Sequence, residues 1–153
     1  MLSPGSQAPP FTLKDLDGAA HSLTEFLAHG PVLVALYKIS CPVCQMTLPF
    51  LNRISSGAIQ IVPISQDDAS GTRRFQSKFG VITPTLLDSE EENYPVSNAF
   101  GITHVPSLFL IESNRVISFV SEGFVKSDLE LVGTRAGIAP FRQEEAVPAW
   151  KAG

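Results

Sequence analysis

The sequence predicts an α/β fold in which helices flank one central mixed sheet. Apolar runs typical of buried strands alternate with segments of helical periodicity, and the alternation closes with two adjacent strands followed by one more helix. The chain has 153 residues, 44% of them hydrophobic, which is enough for one domain with a real core. We therefore expect a single domain over residues 1–153, with its folded core at about 5–137.

The chain is expected to open with a short hairpin. Residues 11–13 and 20–23 flank Asp17-Gly18, a dipeptide suited to the left-handed positions of a hairpin turn. Residues 31–37 then form an apolar run that predicts a buried strand.

A helix is predicted from Pro42 to about Ile54, directly after that strand. Pro49 lies inside it and predicts a kink, because proline lacks the backbone donor that a helix interior needs. The residues expected to face the core are Val43, Phe50, Leu51 and Ile54.

The middle of the chain predicts a strand, a helix and another strand. Residues 59–64 are apolar and suit a buried strand. Asp68 suits the N-cap of the following helix, and Gly80 suits a left-handed residue at its end. A third strand is expected near residues 84–87.

The last predicted elements are a hairpin and a helix. Residues 107–111 and 116–120 are β-rich and lie on either side of a short polar stretch, which indicates an antiparallel pair. The helix is expected to open at Ser127, with Glu130 completing a capping box, and to end at Gly137.

Two segments carry no predicted element. Glu90, Glu91 and Glu92 form the only dense charge run, which we interpret as a solvated loop or helix start without chemistry. Residues 138–153 have no periodicity and predict an irregular tail, although Trp150 offers it an apolar anchor.

Composition limits the partners. The net charge is −4 and the basic residues are scattered, so we expect no nucleic-acid partner. The sequence contains no signal-peptide pattern at its start and no apolar stretch of membrane-spanning length. A complete chain would then be soluble and cytoplasmic, whereas a chain trimmed of a leader or anchor would be extracytoplasmic, so the compartment stays open.

The most informative motif is Cys41-Pro42-Val43-Cys44, which holds the only two cysteines at a junction of strand and helix. In that context a CxxC indicates a redox motif, because sulfurs three residues apart can close a small disulfide ring. If Cys41 caps the helix and Pro42 takes its first position, the amides of the first turn favour a Cys41 thiolate. Cys41 is then the attacking cysteine and Cys44 the resolving one.

Two other interpretations of the cysteines stay open. An inert structural disulfide closing so short a loop would stabilise the fold little. Half of a zinc site would need further ligands, and the sequence offers only His21, His29 and His104 with no second ligand pair at finger spacing. We expect no metal and no bound cofactor.

The ordered motifs resemble those of the thioredoxin-like superfamily, in its thiol-disulfide oxidoreductase and peroxiredoxin-like branch with an N-terminal hairpin and a helical insertion. The resemblance covers about residues 5–137. It rests on the strand before the CxxC, on Pro49 five residues after Cys44, on Pro106, and on the opening at residues 5–13. It implies a thioredoxin-like fold, that Pro106 is a cis-proline facing the cysteines, and that Val105 before it pairs with the backbone of an incoming peptide.

Several positions depart from the pattern of the family. Ser40 stands where thioredoxins usually have tryptophan, Ala35 where they bury an aspartate, and Thr47 where related oxidoreductases often carry a glutamate. The usual proton acceptor for the resolving cysteine is therefore missing. Lys38 and His104 are the nearest titratable candidates for a charge or proton role, but a solvated strand-end lysine and a loop histidine explain them better.

We expect the protein to exchange thiols and disulfides with the disulfides or dithiols of partner proteins. An unidentified electron donor or acceptor would restore its starting redox state, and its role would lie in redox homeostasis or antioxidant defence.

One alternative is a thiol peroxidase. Peroxiredoxins carry Thr or Ser three residues before the reactive cysteine and Pro four before that. Counted back from Cys41, these two positions hold Lys38 and Val34. Counted back from Cys44, they hold Cys41 and Tyr37, so the peroxiredoxin pattern is absent for either cysteine. A second alternative is a redox-inert binding domain that keeps only the fold.

Overall fold

A computed structural model describes residues 1–153 as a central sheet of seven strands with helices on both faces. The sheet strands are β1 (Thr12–Asp15), β2 (Ala20–Ser22), β3 (Val32–Tyr37), β4 (Gln60–Ser65), β5 (Leu86–Leu87), β6 (Ser107–Ile111) and β7 (Ile117–Glu122). The helices are α1 (Leu23–Leu27), α2 (Pro42–Arg53), α3 (Ala69–Phe79), α4 (Pro95–Phe100) and α5 (Lys126–Ala136). A second, two-stranded sheet is formed by β8 (Phe124–Val125) and β9 (Trp150–Lys151).

The strand order in the main sheet is β2-β1-β5-β4-β3-β6-β7. β3 lies near its centre, parallel to β4 and antiparallel to β6, so the sheet is mixed as predicted. All six residues of β3 are buried, which explains their unbroken apolar run. α3, β5 and α4 lie between β4 and β6, in the middle of the chain where the resemblance implies a helical insertion.

Alternating residues of β3 build a core on each face of the sheet. Leu33, Ala35 and Tyr37 face a cluster formed with α2, α3 and α5. Val32, Val34 and Leu36 face a second cluster formed with α1, α4 and the N-terminal hairpin. The end of β3 and the start of α2 therefore lie on a firmly packed support.

Most of the predicted elements are confirmed. β1 and β2 pair as an antiparallel hairpin with Gly18 at a φ of 88° in the turn. Asp68 caps α3 by accepting a hydrogen bond from the Gly71 N–H at 2.7 Å, and Gly80 ends that helix with a φ of 67°. β6 and β7 form the predicted antiparallel hairpin.

The buried face of α2 differs from the predicted one. The helix packs its i, i+3, i+4 and i+7 positions into the core, whereas Val43 and Phe50 are only half-buried. Leu51 and Ile54 are buried as predicted, and Pro49 lies inside the helix. The buried positions of the helix are Cys44, Thr47, Leu48 and Leu51.

The capping box predicted at Ser127 is wrong. α5 begins one residue earlier, its N-cap is Val125, and no side chain caps it. β8 runs straight into the helix, so strand pairing sets the boundary. Nearby, the Ser121 hydroxyl donates to the Asp128 carboxylate at 2.7 Å.

The prediction of an irregular tail needs correction at its end. Residues 138–149 contain no helix or strand, but β9 pairs antiparallel with β8. The Arg53 guanidinium also holds the Glu145 carboxylate through two hydrogen bonds of 2.6 and 2.9 Å. Phe141 packs against Phe50 with ring centroids 4.7 Å apart. Tertiary contacts that no local pattern encodes thus order this segment.

Two short helices were not predicted. α1 has five residues and α4 has six, too few for a periodic pattern to stand out. None of the helices in the structure has the length and apolar character needed to cross a lipid bilayer.

Candidate active site

Cys41 lies at the N-terminus of α2, at the end of the short segment that connects β3 to the helix. It is the N-cap residue, and Pro42 occupies the first turn, where a missing N–H is not needed. The Cys44 backbone N–H donates to Cys41 Sγ at 3.2 Å, so the sulfur takes the place of a capping oxygen. Cys41 is partly exposed, which leaves its sulfur open to a partner.

Cys44 sits one turn further along and is 0% exposed. Burial raises the pKa of the Cys44 thiol well above its ordinary value, and the Cys41 side chain and the negative charge of Asp67 raise it further. A backbone contact with Lys38 opposes this shift. Both cysteines are free thiols, but they occupy opposite environments.

The loop before β6 approaches Cys41 from the other side. The Val105–Pro106 peptide bond is cis, as the resemblance implies. The Cys41 thiol donates to the Val105 carbonyl oxygen at 3.5 Å. Cys41, Val105 and Pro106 therefore meet at one place although 64 residues separate Cys41 from Val105.

Lys38 and His104 lie at the edge of this place. Both line a cavity of about 440 Å³ together with Val105. His104 is exposed, and its Nδ1 lies 2.6 Å from the Glu122 carboxylate, an ion pair when the imidazole is protonated. Glu122 is a partner that sequence reasoning missed, because it comes from β7, 18 residues after His104.

No acidic side chain occupies the positions that depart from the family pattern. Ala35 is fully buried in β3, and the Thr47 hydroxyl donates to the Val43 carbonyl of its own helix at 2.7 Å. The carboxylate whose charge reaches Cys44 is Asp67, just after β4. Its Oδ2 accepts a hydrogen bond from the Ile39 N–H at 2.8 Å, which ties it to the turn before Cys41. The sequence contains no motif that would single out this residue.

The larger cavity of the molecule lies beside the cysteines rather than over them. It measures about 810 Å³ and is lined by the N-terminal hairpin, the start of α3 and the exposed Glu90–Glu92 turn. Lys38, Ile39 and Asp67 also line it. No three His, Cys, Asp or Glu side chains come together in a group that could hold a metal ion.

Residues 4–120 match the model of the AhpC/TSA family. The chain belongs to that family. It is also 27% identical over 132 residues to the thiol-disulfide oxidoreductase ResA of Geobacillus thermodenitrificans, covering 82% of this chain and 74% of the relative.

Solved structures agree on the fold. The thioredoxin domain of a thiol-disulfide oxidoreductase from Bacteroides vulgatus superposes with a TM-score of 0.77 at 22% identity, over 89% of this chain and 99% of that one. A putative thiol:disulfide interchange protein DsbE from Chlorobium tepidum gives 0.75 at 20% identity, over 88% and 96%. The AhpC/TSA protein described here thus has a thioredoxin-like fold, as the motifs of its sequence imply.

Proposed function

We propose that this protein exchanges disulfides with partner proteins, with Cys41 attacking and Cys44 resolving. The observation that carries the proposal is the contrast between the two sulfurs. Cys41 is partly exposed and accepts an amide hydrogen bond at a helix N-terminus, whereas Cys44 is fully buried with a raised pKa. Only the first sulfur is both accessible to a partner and bonded to an amide donor at a helix N-terminus, the setting in which protein cysteines act as nucleophiles.

The reaction proceeds in two displacements. The Cys41 thiolate attacks one sulfur of a partner disulfide, that disulfide breaks, and the released partner thiolate takes a proton from solvent. The Cys44 thiol then loses its proton and attacks Cys41, which releases the second partner thiolate and leaves a Cys41–Cys44 disulfide. Two electrons pass to the partner, so a separate electron donor must restore the dithiol. The same steps in reverse oxidise a partner dithiol.

Val105 and Pro106 supply the docking surface for the partner. The Val105 carbonyl already lies beside Cys41 Sγ, so a backbone paired with Val105 brings its own disulfide to the attacking sulfur. The apolar Pro42-Val43 pair sets no preference for oxidation or reduction, so the direction of electron flow depends on the partner and its compartment.

The proton of Cys44 has two candidate side-chain acceptors, His104 and Asp67, whereas a charged Lys38 would stabilise the thiolate by proximity. Lys38 and His104 border the cavity next to Val105, and Asp67 is the carboxylate that acts electrostatically on Cys44. Replacing each in turn, as Lys38→Gln, His104→Gln and Asp67→Asn, separates them. The acceptor is whichever of His104 and Asp67 moves the pH dependence of the resolving step when it is lost, measured as release of the second partner thiol in stopped flow.

The first experiment is the equilibrium reduction potential of the Cys41/Cys44 pair in dithiothreitol or glutathione buffers, with Cys41→Ser as control. A reversible two-electron couple between about −120 and −280 mV supports exchange, whereas a potential below about −300 mV indicates a structural disulfide. Rapid oxidation by micromolar peroxide would favour a thiol peroxidase instead. Failure of the dithiol form to reduce insulin would favour a redox-inert domain.

A further inference from the structure

Gly153 lies directly on the surface that the proposed function assigns to the partner protein. Gly153 packs against Val105 so closely that a Cβ built on Gly153 would lie 2.3 Å from the Val105 carbonyl oxygen and 2.9 Å from its carbon. The same oxygen lies 3.5 Å from Cys41 Sγ. The backbone group beside the attacking sulfur is therefore covered by a segment of the chain itself.

The approach of the tail depends on backbone pairing. In the β8–β9 ladder Phe124 lies opposite Lys151 and Val125 opposite Trp150, and the Lys126 N–H donates to the Ala149 carbonyl at 2.9 Å. β9 thus adds an antiparallel strand to the edge of β8.

Glycine is required on both sides of this contact. A Cβ on Gly123 would lie 2.6 Å from the Lys151 carbonyl oxygen and 3.1 Å from the Gly153 nitrogen. Gly123 also has a φ of 74°, which disfavours any other residue there. The close approach of residues 151–153 is thus built into two positions far apart in the sequence.

The covering segment is held lightly, whereas the rest of the tail is held firmly. β9 has two residues, residues 150–153 are exposed, and Trp150 is 62% exposed. Upstream, Glu145 is bound by two hydrogen bonds to Arg53, and Phe141 packs on Phe50. Residues 150–153 can therefore lift away without unfolding the tail behind them.

We propose that residues 150–153 occupy the docking surface for the partner protein, formed by Val105 and the edge of β8, and must leave it for exchange to occur. The partner that fits is an extended segment that runs antiparallel to β8 and places a small residue against Val105. This inference rests on the proposed function, because it takes Val105 as the docking residue.

The first test displaces the segment by substitution. Gly153→Val places side-chain atoms where the Val105 carbonyl lies, whereas Ala152→Val adds similar bulk at an exposed neighbouring residue and serves as the matched control. The rate constant for reduction of a peptide dimer joined by one disulfide should rise about fivefold in Gly153→Val, because a larger fraction of molecules has an open site. The rate with the small disulfide 5,5′-dithiobis(2-nitrobenzoate) should rise less, and Ala152→Val should match the parent protein.

The second test follows the position of residues 150–153 directly, without a substitution in that segment. Trp150 is the only tryptophan, so its fluorescence anisotropy reports the position of the segment. In the Cys44→Ala protein, a peptide held on Cys41 as a mixed disulfide should free Trp150 and lower its anisotropy, whereas a methylthio group on Cys41 should not.

The outcomes distinguish a failure of this inference from a failure of the proposed function. Unchanged Trp150 anisotropy in the peptide adduct, or equal peptide rates in Gly153→Val and Ala152→Val, overturns the inference while leaving disulfide exchange intact. If neither the parent protein nor the variants reduce any disulfide, it is the proposed function that fails.

Discussion

Replacing Cys44 with alanine tests the division of roles between the two cysteines. Cys44 is 0% exposed, and its backbone N–H lies 3.2 Å from Cys41 Sγ. Alanine keeps that N–H and removes only the buried sulfur, at a cost of about 1 kcal/mol in unfolding free energy. The first displacement should therefore proceed, and the second should be lost.

The size of the effect follows from the intramolecular position of Cys44. Well-oriented intramolecular groups act with effective molarities of about 10⁵ M or more, so an external thiol at about 1 mM is weaker by a factor of about 10⁸. At a fixed pH, the thiolate fraction of Cys44 falls about tenfold for each unit by which its pKa is raised, which offsets part of this advantage. Even if the raised pKa slows the attack of Cys44 by about 10⁵, the mixed disulfide should live about 10³ times longer in Cys44→Ala than in the parent protein.

The assay is the intact mass of the protein after mixing with a peptide disulfide. Cys44→Ala should accumulate a stoichiometric peptide adduct on Cys41, the parent protein should show none at steady state, and Cys41→Ser should form no adduct. An adduct on Cys44 in the Cys41→Ser protein, with none in Cys44→Ala, would reverse the assignment. A short-lived adduct in Cys44→Ala would refute the resolving role of Cys44.

Three further changes test the contacts around the site. The Arg53 guanidinium holds the pKa of Glu145 at about 2, below its unfolded value of about 4.3. This contribution to stability is therefore present above about pH 4.3 and lost as the pH falls through about 2, and Glu145→Gln should remove that pH dependence in urea unfolding curves. The Tyr37 hydroxyl is buried without hydrogen-bond geometry to any partner, although the Ser65 and Thr85 hydroxyls are close enough to influence its pKa. Tyr37→Phe should thus raise the unfolding free energy by about 1 kcal/mol, and a decrease would show that one of those hydroxyls bonds to it. The buried Asp88 carboxylate accepts from the Val96 N–H and from the Ser97 N–H and hydroxyl, so Asp88→Ala should cost about 3 kcal/mol by the same measurement.

Local chemistry explains which elements were predictable from the sequence. Asp68, Gly80 and Gly18 act within a few residues of their own position, and each plays its predicted part. Cys41 belongs to the same group, because capping depends on the residue and on the turn that follows it. The strand β3 was predictable because both of its faces are buried, which leaves an unbroken apolar run.

Elements that depend on distant contacts were not predictable. Ser127 has the composition of a cap, but β8 continues directly into α5 and places the boundary before it. Trp150 pairs with Val125 across 25 residues, and no local pattern distinguishes such a strand from an irregular tail. Glu122 and Asp67 reach the site in the same way, from strand ends that only the folded sheet brings near His104 and Cys44.

The spacing of the two cysteines produces their chemical difference as well as their proximity. Three residues carry the chain from the N-cap of α2, which is exposed to solvent and to amide donors, onto the buried face that Cys44 shares with Thr47 and Leu48. The sulfur at the first position accepts an amide hydrogen bond at 3.2 Å, whereas burial raises the pKa of the thiol at the second. In the proposed mechanism, the same turn of helix therefore sets the order of attack. The absence of an acid at Ala35 and Thr47 leaves that order unchanged, because it affects how fast Cys44 loses its proton and not which sulfur a partner meets first.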